Sequence, residues 1–130
     1  RGASRVLFLC TRNSARSQLA AALWKQVSGI PCISAGTHPA GSISPGAIDV
    51  ARRHGVALAH VSPRRLEDVG RDDDFIVTVC DNAHEELSGL RGIHWSIPDP
   101  LRLNTREAFD NAFTDISHRV RDLAPRLRAA

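Results

Sequence analysis

The chain has no tyrosine, no methionine and a single lysine, and only three of its 130 residues are cysteine. Aromatic residues make up 5% of it, too few and too scattered to build the stacking platforms that single-stranded nucleic acids use. Three cysteines cannot form a disulfide scaffold in a chain of this kind, so a reducing, cytoplasmic setting is expected. No run approaches the ~20 apolar residues of a membrane span, and no signal-peptide pattern is read in it. The formal charge is +3 with a pI near 9.2, and Arg supplies every basic residue except Lys25. These charges are spread along the chain rather than grouped, which suits a small anionic ligand and speaks against a nucleic-acid or membrane partner. The length fits one domain spanning residues 1–130, large enough for a core without metals or disulfides. The chain opens on Arg1 rather than Met, so a domain excised from a longer protein is one expectation.

What is present is concentrated near the start. An apolar run, Val6-Leu7-Phe8-Leu9, leads into Cys10-Thr11-Arg12-Asn13-Ser14-Ala15-Arg16-Ser17, and an Ala/Leu-rich stretch follows. A loop of this length between a strand and a helix can turn its backbone N–H groups inward as an oxyanion cradle, and the helix N-terminus adds partial positive charge there. Cys10 falls at the base of that cradle. Such a field can draw a thiol from about 8.5 to about 3.5–7.5, so a thiolate is expected at Cys10. Arg16 supplies a planar fork matched to two oxygens of a tetrahedral anion. The bland alternative is a buried cysteine acting as a small hydrophobe. The strand before, the helix after and the polar loop between them favour the nucleophile.

Strands and helices alternate along the chain. Arg5–Leu9 reads as a buried strand, and Ser17–Val27 as a helix with Leu19, Leu23 and Val27 at helical spacing. Ile33–Ala35 reads as a strand. Ser44-Pro45 starts a helix that Gly55 stops, with Ile48 and Ala51 facing the core. Ser62-Pro63 gives the same start signal for a shorter helix. Phe75–Val79 and Ile93–Ser96 read as strands. In the last helix Asn104-x-x-Glu107 reads as a capping box, and Phe109, Phe113, Ile116, Val120, Leu123 and Leu127 follow its apolar face, with Pro125 fraying the end. The pattern predicts an α/β fold with a mostly parallel sheet. Ligands in such sheets bind beyond the carboxyl ends of the strands, where Cys10, Cys80 and the loop after Ser96 all fall.

On the Cys10–Ser17 loop, Ser34-Ala35-Gly36, Val77-Thr78-Val79-Cys80, His94-Trp95 and Asp99-Pro100, the chain resembles the low-molecular-weight tyrosine phosphatase superfamily over nearly its whole length. Within that superfamily it is most similar to the arsenate reductases of the same fold. The resemblance implies a four-stranded parallel sheet flanked by helices, with the oxyanion loop between the first strand and the first helix. Two chemistries share that scaffold. In the phosphatases the cysteine takes the phosphoryl group, the Asp of Asp-Pro protonates the leaving group and water hydrolyses the intermediate. In the reductases the cysteine attacks arsenate, and a second thiol attacks the adduct to release arsenite. The resemblance thus implies catalytic roles for Cys10, Arg16, Asp99 and Cys80. It also implies oxyanion binding by Thr11, Arg12, Asn13, Ser14, Ala15, Arg16 and Ser17.

Three features favour the reductase. Gln18 stands where the phosphatases more often carry Pro. Cys80, otherwise a small buried residue ending a strand, lies in a segment that looks like the one holding the second redox cysteine. Leu101 replaces the tyrosine that usually follows Asp-Pro. Three features depart from the pattern. Arg12 stands where Gly is usual, Ala15 replaces a second loop cysteine, and no cysteine follows Cys80. The thiol relay is therefore incomplete, and an external reductant is implied: thioredoxin, a glutaredoxin-like protein, mycothiol or glutathione. For Cys80 to reach Cys10, the segment Asp81–Leu90 is expected to move. The expected ligand is a small tetrahedral oxyanion, arsenate or a phosphate ester. A phosphatase is the runner-up, and an oxyanion-sensing module of a fusion protein the third reading.

The remaining candidates read as structural. Cys32 is expected to be a packed core cysteine. The six His residues show no metal-ligand spacing, and no metal is expected. Some reductases of this fold hold a potassium ion. Asn13 and Ser34 match two positions of that site, but Arg64 stands where an Asp would help. Asp49, Asp72, Asp73 and Asp74 read as solvated charges or caps.

Overall fold

The structure, a computed structural model, describes residues 2–58, 62–86 and 92–130. In chain order the elements are β1 (Gly2–Ala3), β2 (Val6–Cys10), α1 (Arg16–Val27), β3 (Cys32–Gly36), α2 (Pro45–Arg53), α3 (Leu66–Val69) and β4 (Phe75–Thr78). There follow α4 (Asp81–Glu86), β5 (Gly92–His94), α5 (Pro100–Leu103), α6 (Arg106–Leu123), a 3₁₀ turn (Ala124–Arg126) and β6 (Arg128–Ala129). Four strands form a parallel sheet in the order β3-β2-β4-β5. The expected α/β architecture, a four-stranded parallel sheet flanked by helices, is the one observed.

The central strand explains its own sequence. All five residues of β2 are buried, because a parallel strand covered on both faces needs a continuous apolar run rather than an alternating one. β3 pairs on one side of it and β4 on the other. The chain leaves β2 through α1 toward β3, then returns past β2 to β4. The connections therefore diverge at the carboxyl end of β2, which is where ligand crevices form in open parallel sheets. Cys10 is the last residue of β2. Helix α1 packs on β2, β3 and α6, and its Trp24 is fully buried edge-on against Phe8 with its indole N–H donated to Ile30 O at 2.9 Å. A second, two-stranded parallel pairing of β1 with β6 ties the two ends of the chain together.

Several expectations needed correction. The first core strand begins at Val6, not Arg5. Arg5 is buried at the strand's start, where its guanidinium meets both carboxylate oxygens of Asp74 at 2.7 Å. Asp74 is therefore an interior charge rather than a solvated one. It also accepts the Arg71 N–H at 2.8 Å, and Arg5 donates to Val69 O. No apolar periodicity signals such a pair. The short helix starts at Leu66 after Arg65, not at Ser62-Pro63. Thr105, not Asn104, caps α6 by accepting the Ala108 N–H. Asn104 instead closes α5 in the left-handed conformation, which Asn tolerates. Val27 and Ile48 are 42% and 40% exposed, so neither belongs to the core; Ala47 and Val50 take the place expected of Ile48. Ser44 does stand at the start of α2 and Gly55, at φ 69°, just past its end, but the Ser44 hydroxyl makes no capping bond. The last strand of the four-stranded sheet is Gly92–His94, not Ile93–Ser96, with Trp95 extending the ladder through its N–H to Thr78 O. Among the described residues no helix is long and apolar enough to cross a membrane.

Removing one partner of a buried ion pair strands the other charge, at a cost of about 3–5 kcal/mol. Asp74→Ala should therefore lower the urea midpoint sharply with little change in the slope of the transition. A midpoint within experimental error of wild type would show that the pair carries no such load.

Candidate active site at the carboxyl end of β2

The loop from Cys10 to Arg16 takes its shape from what its carbonyls bond to. The carbonyls of Cys10, Thr11, Arg12 and Ser14 accept the backbone N–H groups of Thr37, His38, Ala40 and Ser44 at 2.7–3.1 Å. The loop's carbonyl side is thereby held against the segment after β3, and its N–H side turns toward the Cys10 sulfur. Asn13 N donates to Cys10 Sγ at 3.1 Å. Helix α1 begins with Ala15 at its N-cap, which offers no side chain to the first-turn N–H groups. Uncapped N–H groups at a helix start are donors available to an anion.

Asn13 is the knot of the loop. It adopts φ 50°, as expected for a polar residue in the left-handed region. Its side chain donates to Ser17 Oγ at 2.7 Å and accepts Arg64 N–H at 3.0 Å. Gln18 donates to both the Asn13 carbonyl and its side-chain oxygen, at 3.1 and 3.3 Å. Ser17 Oγ in turn lies 2.9 Å from Cys10 Sγ. Gly36 closes the rear: a Cβ there would sit 2.6 Å from Thr11 O and 3.1 Å from Asn13 Cβ. Gln18 and Gly36 are site residues whose support of the loop the sequence pattern does not reveal. The family pattern marks both positions, but what they do for the loop is visible only in the folded chain.

The charge balance at Cys10 corrects one expectation. Burial pushes the Cys10 thiol up, while the Ser17 hydroxyl, the Ser17 and Asn13 N–H groups and the Arg16 charge pull it down; burial prevails. The cradle's donors are in place, but they do not outweigh the loss of water. One reason is the direction of Arg16, whose Nη1 donates to Ile97 O at 2.7 Å rather than to the sulfur. Its Nη2 lies 3.8 Å from Asp99 Oδ2. Arg16 thus ties the segment Ile97-Pro98-Asp99 over the loop. Asp99 also caps α5, accepting Leu101 N–H at 3.0 Å, so both the turn chemistry and the placement beside Arg16 are observed.

Cys80 ends up against the same loop. Its Sγ lies 3.3 Å from Thr11 Oγ1 and 3.4 Å from Ala83 N, at the start of α4. All three cysteines are free, and Cys10 and Cys80 are both buried. Cys32 stands apart, half-buried with its thiol near Ala21 O at 3.4 Å. Next to Cys80, His94 bridges Thr78 Oγ1 at 2.8 Å and Asp81 Oδ1 at 2.9 Å and stacks on His84. The hydrogen bonds from His94 and Ser96 hold the Asp81 carboxyl below its usual range. Within the expected mobile segment, residues 81–86 form α4, and the remainder lies outside the described residues. Two openings lead to the loop. One, of about 450 Å³, is lined by Arg16, Cys80, Asp81, Asn82, Asp99 and Arg102. The other, of about 630 Å³, runs past Arg12, Ser14, Ser42, Asp99 and Arg102. Among the described residues no group of three or more His, Cys, Asp or Glu is placed to hold a metal ion. At the potassium-like position the Asn13 side-chain oxygen is taken by the Arg64 N–H.

A parallel sheet that delivers a cysteine, at its switch point, into a Cys-x5-Arg loop backed by Ser and Asn defines an enzyme of the phosphatase fold. The chain belongs to the low molecular weight phosphotyrosine protein phosphatase family, whose model matches residues 5–130. The arsenate reductase of Bacillus subtilis is 28% identical to it over 131 residues, covering 92% of this chain and 94% of that one. Among solved structures, an arsenate reductase from Archaeoglobus fulgidus superposes with a TM-score of 0.80 at 28% identity, covering 92% of this chain and 98% of that one. The tyrosine phosphatase Wzb from Escherichia coli K30, solved with sulphate, shares the fold with a TM-score of 0.83 at 22% identity, covering 95% and 97%.

A hydrogen bond to a charged group is worth about 1.5–3 kcal/mol, and each pH unit corresponds to about 1.4 kcal/mol. Ser17→Ala should therefore move the midpoint of Cys10 alkylation upward by about one to two units, as followed by peptide mapping across pH. An unchanged midpoint would show that Ser17 does not support the thiolate.

Proposed function

We propose that this protein is a thiol-dependent arsenate reductase. The observation that supports this most directly is the second free thiol, Cys80, held 3.3 Å from the Thr11 hydroxyl of the loop that begins at Cys10. A hydrolase has no use for a thiol there. A reductase needs one within reach of the first.

In this reading the loop N–H groups and Arg16 bind arsenate, with Arg16 exchanging Ile97 O for the anion. The thiol proton of Cys10 passes to the basic oxyanion, and the resulting thiolate is held by Ser17 and the Asn13 N–H. Cys10 Sγ then attacks arsenic while Asp99 protonates the departing oxygen, which leaves as water. Cys80 Sγ attacks Cys10 Sγ next. The sulfur–arsenic bond breaks, its electron pair stays on arsenic, and arsenite departs as the Cys10–Cys80 disulfide forms. One As(V) becomes As(III), and two thiols become one disulfide. The two Cα atoms must lie within about 7 Å for that bond, and Cys80 Sγ already meets the loop at Thr11 Oγ1. An external thiol, such as thioredoxin, a glutaredoxin-like protein, mycothiol or glutathione, then reduces the disulfide. Such thiols belong to a reducing, cytoplasmic compartment.

Arsenate-dependent thiol oxidation and hydrolysis of para-nitrophenyl phosphate, measured on one preparation, test the reading. Pre-reduced protein should release about one arsenite per chain without added thiol and acquire a Cys10–Cys80 link visible by mass spectrometry. Cys10→Ser should abolish this, since a serine hydroxyl stays protonated. Cys80→Ser should prevent the stoichiometric release. Asp99→Asn should slow it by roughly 10²–10⁴-fold while phosphate still protects Cys10 from alkylation. Hydrolysis of the aryl phosphate with no arsenite formed would establish a phosphatase instead. Oxyanion binding without either reaction would favour a sensing module.

A further inference from the structure

The cleft of about 450 Å³ that leads to Cys80 carries four charged side chains: Arg16, Asp81, Asp99 and Arg102. Three of them are engaged. Arg16 bonds Ile97 O and faces Asp99. Asp81 is bridged by His94. Asp99 is shared between Arg16 and the Leu101 N–H. The Arg102 guanidinium alone has no hydrogen-bond or ion-pair partner among the described residues, although the helix that carries it starts at Pro100 directly after Asp99. Arg102 also lines the neighbouring groove, whose other guanidinium, Arg12, is likewise unpartnered. The lining of neither opening includes an aromatic ring.

A tetrahedral oxyanion held by the loop would leave most of this space unused. The cleft is of the size that encloses small molecules, on the order of 300–1,000 Å³, and Cys80 is part of its lining. From this, and resting on the reductase reading above, we propose that Arg102 selects the reductant. The molecule that regenerates the enzyme is a low-molecular-weight thiol bearing a carboxylate, which pairs with Arg102 and brings its sulfur to Cys80.

The step balances without any further reagent. The small thiolate attacks Cys80 Sγ, the Cys10–Cys80 bond breaks, and Cys10 leaves as a thiolate received by Ser17 and the Asn13 N–H. Access sets the direction of attack: Cys80 lines the cleft in which the small thiol is held, and Cys10 does not. A second small thiolate then attacks the sulfur of the first. The small disulfide is released, and Cys80 leaves as a thiolate that takes a proton from water.

The test uses the full chain oxidised to the Cys10–Cys80 disulfide. Its rate of reduction is measured with reduced glutathione (anionic), β-mercaptoethanol (neutral) and cysteamine (cationic). Each rate is divided by that thiol's rate with a small uncharged disulfide, which removes differences in intrinsic reactivity. Glutathione should be preferred over cysteamine, and the preference should shrink with added salt. Arg102→Gln should cost glutathione about fivefold, the factor an exposed ion pair of about 1 kcal/mol corresponds to. Arg102→Lys should retain most of the preference, and Arg102→Glu should transfer it to cysteamine. Single-turnover arsenite release by the pre-reduced protein should be the same in all three variants. Equal normalised rates for the three thiols, or rates indifferent to Arg102, would overturn the proposal. So would reduction by thioredoxin that outpaces every small thiol at matched concentration. Failure of the single turnover itself would overturn the reductase reading instead.

Discussion

Everything at the active site hangs on one residue in a conformation that few residues accept. Asn13 sits at φ 50°, and from that position its groups reach in four directions. Its N–H meets the Cys10 sulfur and its amide nitrogen meets Ser17. Its side-chain oxygen takes the Arg64 N–H, and its carbonyl takes Gln18. The left-handed turn is what brings the N–H back onto a sulfur three residues earlier. The side-chain bonds offset the conformational cost, which for a non-glycine residue in this region is of order 1–3 kcal/mol. Glycine would reach the same backbone angles but would leave Ser17 unanchored and the Arg64 N–H unsatisfied. An adjoining constraint works from behind: Gly36 lets β3 approach so closely that no side chain fits between it and the Thr11 carbonyl. The loop is thus clamped from the helix side by Gln18 and from the sheet side by Gly36.

How much of this was legible in the sequence depends on whether the signal was local. The buried run of β2 was plain because a strand covered on both faces must be apolar throughout. The oxyanion loop that begins at Cys10 and Asp99 beside it followed from short-range chemistry and from the family pattern. What stayed hidden came from tertiary context. Arg5 and Asp74 look like ordinary surface charges until 69 residues of chain bring them together. Ser62-Pro63 and Asn104 carry helix-start signals, yet the helices begin at Leu66 and after Thr105. A capping side chain competes with its neighbours for the same N–H groups, and only the packed chain decides between them. Val27 lies at core spacing on α1 but falls in its last turn, beyond the surface that covers the sheet. The Cys10 field was misjudged for the same reason: a local motif announces donors but not burial.

The acidic and basic residues show why a net positive charge gave no basic face. Among the described residues, many arginines are answered by carboxylates nearby, as in Arg53 with Asp49 and Asp110, Arg119 with Asp115 and Arg126 with Asp122. Exposed pairs of this kind contribute little to stability, about 0–1 kcal/mol each. Their effect is to neutralise the surface. Among the described arginines without a carboxylate partner, Arg12 and Arg102 are set apart by their place at the openings to the loop.

Phosphate ester and arsenate look alike to the cradle, so the choice between hydrolysis and reduction has to be made after the first bond to Cys10 forms. Hydrolysis requires water to attack the bound phosphorus. Reduction requires a thiolate to attack sulfur instead, with the bond's electron pair returning to arsenic. The two second steps aim at different atoms from different directions. A water-attack mechanism is served by a carboxyl group beside the loop, and Asp99 lies 3.8 Å from the loop's Arg16. A sulfur-attack mechanism is served by a thiol beside the base of the loop, where Thr11 meets Cys80. Asp99 is useful to both chemistries, because either first step expels an oxygen that needs a proton, and so it cannot discriminate between them. Cys80 is useful to one. The Thr11 hydroxyl extends that asymmetry: placed between the end of β2 and the start of α4, it couples the position of the second sulfur to the loop that holds the first. In the proposed reductase, any shift that frees Cys80 from Thr11 also removes a contact of the loop's own second residue.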